Sequence, residues 1–351
     1  MLRIDLRSDT VTQPTQRMRQ AMMQAEVGDD GRASLDGFGE DPTVNQIEAL
    51  AAEMLGKERG LLVPSGTMGN LIAVMTHCRR GERVVVGQDA HVYRTEKAAF
   101  MDDLLGRVPV IIPENEGKLD VDLLEEALKS QSIGLICVEN SHNYAGGLVL
   151  PVEYLQKVKA LADAHSVAVH MDGARIFNAA VTLGIDAKEI AGCADTVMFC
   201  LSKGLSAPIG SILCGPKEFI LSARKGRKLI GGQMRQAGII AAAGIEALKT
   251  MVFRLKEDHL KARVLAQDLR DNCEMPIPAN IHTNMFKFDV STLGMTAQTF
   301  NDELAKRGVL VHVFSPTEIR IVTHKDVSMD ECRSAAKIIG SFWNECYHRS
   351  Q

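Results

Sequence analysis

The amino-acid sequence predicts an α/β protein built on a mostly parallel central sheet, with a smaller C-terminal α+β unit after it. Three observations predict this class. Between Gly60 and about Gly231, short apolar runs alternate with helical stretches, the order that lays parallel strands side by side. Those runs are apolar throughout rather than at every second residue, which suits strands covered on both faces. Beyond Gly231 the pattern turns to long helix and then to a second set of strands and helices. A chain of 351 residues, 46% of them hydrophobic, has enough apolar material for one large core and one small one. The expected division is residues 1–235 for an N-terminal segment and large domain, and 236–351 for a linking helix and small domain.

Taken in order, "QRMRQAMMQAE" and "DPTVNQIEALAAEMLGK" have helical periodicity. The second opens with Asp41 at the N-cap and Pro42 at the first helical position. Between them "GDDGRASLDGFGEDP", residues 28–42, carries four glycines and no apolar period, and reads as a surface loop. The runs "GLLVPS", "ERVVVG", "VPVIIP", "IGLICVEN", "VAVHMDG" and "DTVMFCLS" read as strands, with "TMGNLIAVMTHC", "VDLLEEALK" and "VEYLQKVKALADAH" as helices among them. Then comes one long helix, "RQAGIIAAAGIEALKTMVFRLKEDHLKARVLAQDLRDN". The last part reads as strand "TNMFKFDV", helix "TAQTFNDELAKRG", strands "VLVHVF" and "EIRIVT", and a helix from Ser328 with Glu331 as capping-box partner.

A net charge of −4 offers no electrostatic reason to bind nucleic acid or an anionic membrane, so small solutes are the expected partners. The opening "MLRIDLRSDTVTQP" is charged where a secretory signal is apolar, and no apolar run approaches 20 residues, so a cytoplasmic protein is expected. Eight cysteines lie scattered without C-x-x-C spacing and read as reduced core thiols, with no zinc site implied.

Chemistry gathers at the strand ends. "VAVHMDGAR" ends in Asp172 and Arg175, "GLICVENSH" in Glu139 and His142, and "DTVMFCLSKG" in Lys203, while His91 follows "ERVVVG". In a parallel sheet these all reach the carboxyl edge. A lysine, an acid and an imidazole there are the layout of a pyridoxal phosphate site, where the lysine forms a Schiff base and the acid pairs with the ring nitrogen. "PSGTMGN", residues 64–70, adds a strand-to-helix turn whose first N–H groups suit a phosphate. The bland reading makes Lys203 a solvated lysine and Asp172 a helix cap. Against it, small residues crowd Lys203, and "CLSKGLSAPIG" holds no acid to pair with it.

At "DLRSDTVTQP", "GEDPTVN", "HMDGARIFNA", "CLSKGLSAPIGS", "GGQMRQAGI" and "IRIVTH" the sequence resembles, in order over almost the whole chain, the low-specificity L-threonine aldolases. These are pyridoxal-phosphate enzymes of fold type I, the aspartate-aminotransferase-like fold, in the β-eliminating lyase branch. The resemblance implies cleavage of L-threonine, L-allo-threonine and related β-hydroxy-α-amino acids to glycine plus an aldehyde. It makes Lys203 the lysine that carries the cofactor, Asp172 the partner of the ring nitrogen and Arg175 a contact on the 3'-oxygen side. Gly66 and Thr67 match the phosphate-binding pair. His91 matches the imidazole over the ring, with Glu96 beside it, and His142 the residue near the substrate's β-hydroxyl. Ser8, Arg320 and more weakly Arg175 match groups that hold the substrate carboxylate. Arg235 matches a residue that reaches the phosphate of a neighbouring subunit's cofactor, in a homotetramer built from dimers. Relatives have a shorter turn where this chain has residues 28–42, and a tyrosine where it has Phe38; the resemblance puts that loop at the site's entrance. The same cofactor also serves racemases and β-eliminating lyases on this scaffold. A catalytically silent binding protein has no need of Lys203, Asp172, His91 and Arg320 together.

Overall fold

A computed structural model describes residues 3–32, 37–273 and 275–350. The chain forms two compact units, one of residues 14–252 and one of residues 1–13 with 253–351. The division expected at 235/236 therefore falls at 252/253, and the N-terminal segment joins the C-terminal unit. Its strand Ile4–Asp5 pairs in parallel with Val309–Leu310, and that pairing sets its membership.

In the larger unit the strands of the central sheet are β1 (Arg59–Val63), β2 (Arg83–Gly87), β3 (Val108–Ile112), β4 (Ile133–Glu139), β5 (Ala168–Asp172), β6 (Thr196–Cys200) and β7 (Ser211–Gly215). They lie in the order β1-β7-β6-β5-β4-β2-β3. Only β7 runs antiparallel to its neighbours, β1 and β6. Every residue of β6 and β7 is buried, as the unbroken apolar runs predict for strands covered on both faces. The edge strand β3 departs from this: Val108 and Ile111 are exposed. The chain goes from β2 outward to β3 and then back across to β4, so the strand order reverses between β2 and β4. A crevice opens at the carboxyl ends of such a reversal.

Helix Pro42–Leu55 starts as expected: Asp41 Oδ1 accepts from the Val44 N–H at 3.0 Å. The other oxygen of Asp41 accepts from Gly28 at 3.1 Å and Gly238 at 2.8 Å, so one cap ties three segments together. The described flanks of the 28–42 loop are held rather than loose. Asp30 is buried, 2.6 Å from Arg227 and 3.0 Å from Arg224, and Arg224 also reaches Glu48 at 2.8 Å. Residues 33–36 of that loop lie outside the described residues.

The long helix expected after Gly231 is two helices, Gly238–Thr250 and Leu255–Cys273. No glycine or proline marks the break; it falls at Met251, Val252 and Phe253, where a β-branched and an aromatic residue lower helix propensity and the chain passes between units. In the smaller unit, strands β8 (Met285–Asp289), β9 (His312–Val313) and β10 (Glu318–Val322) form an antiparallel sheet in the order β8-β10-β9. The expected strand "VLVHVF" is split at Val311, one half pairing with Ile4–Asp5 and the other with β10. Phe286, Phe288, Phe300 and Trp343 centre this unit's core. Ser328 and Glu331 form the reciprocal capping box: the Glu331 N–H donates to Ser328 Oγ at 3.2 Å, and the Ser328 N–H donates to Glu331 Oε2 at 2.7 Å. Among the described residues no helix is long and apolar enough to cross a membrane.

Candidate active site

Sheet register in the larger unit puts two strand ends together, Glu139 beside Asp172, and sets Asp172 beside Met198 in the middle of β6. Asp172 closes β5 and is 4% exposed. Its Oδ1 accepts from the Ala174 N–H at 3.0 Å and its Oδ2 from the Asn70 amide at 3.0 Å, so each oxygen has an N–H donor. Lys203 stands half-buried in the turn that leaves β6, the adjacent strand. That turn is tight. The Ser206 N–H donates to the Lys203 carbonyl at 2.8 Å, Ser206 has φ +63°, and Gly210, with φ +108°, supplies the left-handed bend that returns the chain to β7.

His91 follows β2, on one side of the crevice. Its N–H donates to Glu139 Oε2 at 2.7 Å, and its ring Nδ1 lies 3.1 Å from Glu96 Oε1. The Asn70 amide also reaches both Glu96 oxygens at 3.2 Å. Polar atoms of His91, Glu96 and Asp172 thus lie within 4.8 Å of one another. Burial works to lower the His91 pKa, but the hydrogen bond to Glu96 and the carboxylates of Asp172 and Glu139 override it and raise the ring above its usual value. Glu139 is itself raised by burial; its two oxygens accept backbone N–H groups from His91 and Asn143.

His142 is placed differently. The ring is 1% exposed, with Nε2 3.0 Å from Glu114 Oε1, while Nδ1 accepts from the Ala145 N–H at 3.2 Å. That second bond needs the lone pair on Nδ1, so it belongs to the neutral ring, whose proton sits on Nε2 against Glu114. Burial disfavours a second proton, but Glu139 and Glu114 outweigh it and raise the pKa to about 9.

The helix Gly66–His77 begins beside the carboxyl end of β6. A Cβ on Gly66 would lie 2.8 Å from Cys200 Sγ, which explains the glycine. Ser65 takes the third and fourth N–H groups of the first turn, its Oγ accepting from Met68 at 3.2 Å and its carbonyl from Gly69 at 3.1 Å. The N–H groups of Gly66 and Thr67 are left directed out of the helix start. Arg175 is buried at the N-cap of helix Ile176–Leu183. Arg235 is largely exposed and holds Asp29 at 3.0 Å.

Ser8 and Arg320 belong to the smaller unit. There Ser8 caps a short 3-10 turn, accepting from the Thr10 N–H at 3.2 Å, and Arg320 lies buried on β10 with its guanidinium 5.7 Å from the Phe314 ring. Phe38 carries the Arg59 guanidinium at 4.1 Å over its ring. Arg59 is the first residue of β1, so Phe38 sits at the opposite edge of this sheet from Asp172 and Lys203. Sequence reasoning missed Asn70 and Glu114. Asn70 had a signal: a buried amide in an otherwise apolar stretch of helix, "NLIAVM".

The donor set fits pyridoxal phosphate: an amine for its aldehyde, a buried carboxylate held at both oxygens for its ring nitrogen, and two helix-start N–H groups for its phosphate. Sheet order and these positions define the class, the type-I fold of pyridoxal-phosphate enzymes. The chain belongs to the beta-eliminating lyase family, which matches residues 5–292. It is 42% identical over 340 residues to the low specificity L-threonine aldolase of Escherichia coli K12, covering 95% of this chain and 97% of that protein. It is 40% identical over 343 residues to low-specificity L-threonine aldolase 1 of Arabidopsis thaliana, covering 94% of each. Among solved structures it is similar to a threonine aldolase of Leishmania major, with TM-score 0.81 at 19% identity over 97% of this chain and 99% of that one.

Proposed function

We propose that this chain is a pyridoxal-phosphate-dependent aldolase that cleaves L-threonine, L-allo-threonine and related β-hydroxy-α-amino acids to glycine and an aldehyde. The observation that carries the reading is a carboxylate, Asp172, fixed at both oxygens on the strand next to the one that leads into Lys203. Lys203 would hold the cofactor through its amine, Asp172 would face the ring nitrogen, Gly66 and Thr67 would hold the phosphate, and Arg175 and His91 would contact the ring. Bound there, the cofactor would supply an electron sink conjugated with the substrate's Cα.

The chain's own residues supply the rest. A carboxylate at Asp172, opposite the ring nitrogen, would favour a proton there. The carboxylate-binding roles of Ser8 and Arg320 orient the substrate, and orientation decides which bond to Cα breaks. The β-hydroxyl proton goes to an imidazole. His142 is the family's candidate, but with both ring nitrogens engaged and its pKa raised to about 9 it must lose a proton before it can accept one; His91, 28% exposed and steadied by Glu96, is the other. His142→Asn and His91→Asn separate them: the base is the one whose loss lowers kcat most while KM changes little.

Support for a reducing cytoplasm is that all eight cysteines are unbridged and seven are buried. The homotetramer, with Arg235 serving a neighbour's phosphate, belongs to the same proposal and rests on the resemblance; sedimentation of the purified protein measures it. The deciding experiment incubates protein and cofactor with a panel of β-hydroxy-α-amino acids and reads aldehyde release. Racemised alanine without aldehyde would overturn the aldolase reading in favour of a racemase.

A further inference from the structure

Behind Asp172 runs a string of buried polar groups that the reaction as described does not use. The Asn70 amide nitrogen donates to Asp172 and to Glu96, so its oxygen points the other way and meets His170 Nε2 at 3.1 Å. His170 Nδ1 lies 2.9 Å from Thr196 Oγ1, and Thr196 Oγ1 lies 2.9 Å from His77 Nε2. His77 stacks on Phe219 at 4.4 Å and closes the outer end. Asn70, His170 and Thr196 are all buried.

Hydrogen-bond chemistry gives the string one direction. Two carboxylates fix the Asn70 amide, because its oxygen cannot face them. An amide oxygen only accepts, so His170 Nε2 carries the hydrogen. A neutral His170 then has a lone pair on Nδ1, which takes the one hydroxyl hydrogen of Thr196. The Thr196 oxygen is left to accept from His77 Nε2–H. Burial supports neutral rings: it lowers the His170 pKa to about 3 and the His77 pKa to about 4. The titratable groups around the string are Asp172 and Glu96 at the inner end, Cys137 on the neighbouring strand β4, and Asp195 near His77.

We propose that His77, Thr196, His170 and Asn70 are positioning residues, a one-way hydrogen-bond string that aims Asp172 at the cofactor's ring nitrogen. The inference rests on the role given above to Asp172. Every donor in the string is neutral, so it steadies the carboxylate without adding a cation that competes with the ring nitrogen for its charge. Strand and helix periods build it: His170 and Asp172 lie two apart on β5, Asn70 and His77 seven apart on their helix, and Thr196 pairs with His170 in the sheet register.

The test is imidazole NMR of protein labelled with 15N-histidine, before cofactor is added. His170 is expected as the Nε2–H tautomer with no titration from about pH 5 to 8. In Thr196→Val, which keeps the side chain's shape and removes its hydroxyl, the His170 signals are expected to shift. In that variant's holoenzyme the pH midpoint of the cofactor's absorption band moves and kcat falls roughly tenfold with KM nearly unchanged, the size found when an orienting hydrogen bond is lost. His170→Phe, which leaves the Asn70 oxygen without a donor, is expected to lose more. An Nδ1–H tautomer, a titration near neutrality, or Thr196→Val with unaltered His170 signals, absorption midpoint and kcat overturns the proposal. Its failure is distinguishable from failure of the proposed function: the NMR readout needs no cofactor, and borohydride fixation of cofactor on Lys203 does not depend on the string.

Discussion

Lys203 and Asp172 have separable tasks, and substitutions should separate them. Lys203→Ala removes the amine proposed to hold the cofactor, so borohydride is expected to fix none at this position and steady-state aldehyde release to disappear. Asp172→Ala keeps the phosphate and amine contacts, so cofactor remains bound while turnover drops by about 10² or more; absorbance and glycine formation measured together check both halves. Undiminished activity in Asp172→Ala would sink the electronic role. These residues were legible because each follows an apolar strand and carries unusual chemistry for that position. Glu114 was not legible: it lies in the two-residue strand Glu114–Asn115, and only the folded chain brings it to 3.0 Å from His142. Phe38 shows the opposite limit. The family resemblance implies a place at the site's entrance, while in this chain its ring is taken by Arg59 at the far edge of the sheet.

One element depends on close approach and another on charge. Helix Gly66–His77 meets β6 through glycines; a Cβ on Gly66 would lie 2.8 Å from Cys200 Sγ and 3.2 Å from Met198 Cε. Gly66→Ala should cost about 1–3 kcal/mol by overpacking and weaken cofactor binding by shifting the helix start; urea unfolding and cofactor titration measure the two. The first flank of the 28–42 loop depends on charge instead. Asp30→Ala leaves the buried guanidinium of Arg227 and the partly buried one of Arg224 with Glu48 as the remaining acid among the described residues, and should cost about 3–5 kcal/mol, read from the urea midpoint. A loss under 1 kcal/mol would mean that water or another acid replaces Asp30. Composition marked this segment as a loop and missed the anchor, because Asp30 finds its partners in a helix nearly two hundred residues away.

For the whole molecule, pH couples to folding through buried neutral imidazoles. His259 in the smaller unit is buried, and burial, helped by Arg263, lowers its pKa to about 4. Its folded pKa is below the unfolded value, so the unfolded chain binds more protons in acid. The stability this group contributes is present above about pH 6.5 and is lost as pH falls toward 4. The slope is roughly 1.4 kcal/mol per pH unit, so His259→Leu should lose about 2 kcal/mol less than the parent between neutral pH and pH 5. His77 and His170 act in the same direction, and His142, whose pKa is raised, acts in the opposite one. Comparing urea midpoints of parent and His259→Leu across this range isolates the single group.

Sequence by itself determined the α/β class, the parallel strands and the lysine, acid and imidazole at their ends, because unbroken apolar runs and residue chemistry are local properties. The tertiary structure decided what depends on approach between distant segments. It set the boundary at 252/253, the break inside the long helix, the partner of each half of "VLVHVF", and the string from His77 to Asp172. The physical reason is the same throughout: a hydrogen bond needs its two atoms about 3 Å apart, and no period along the chain states which of two hundred residues will arrive there.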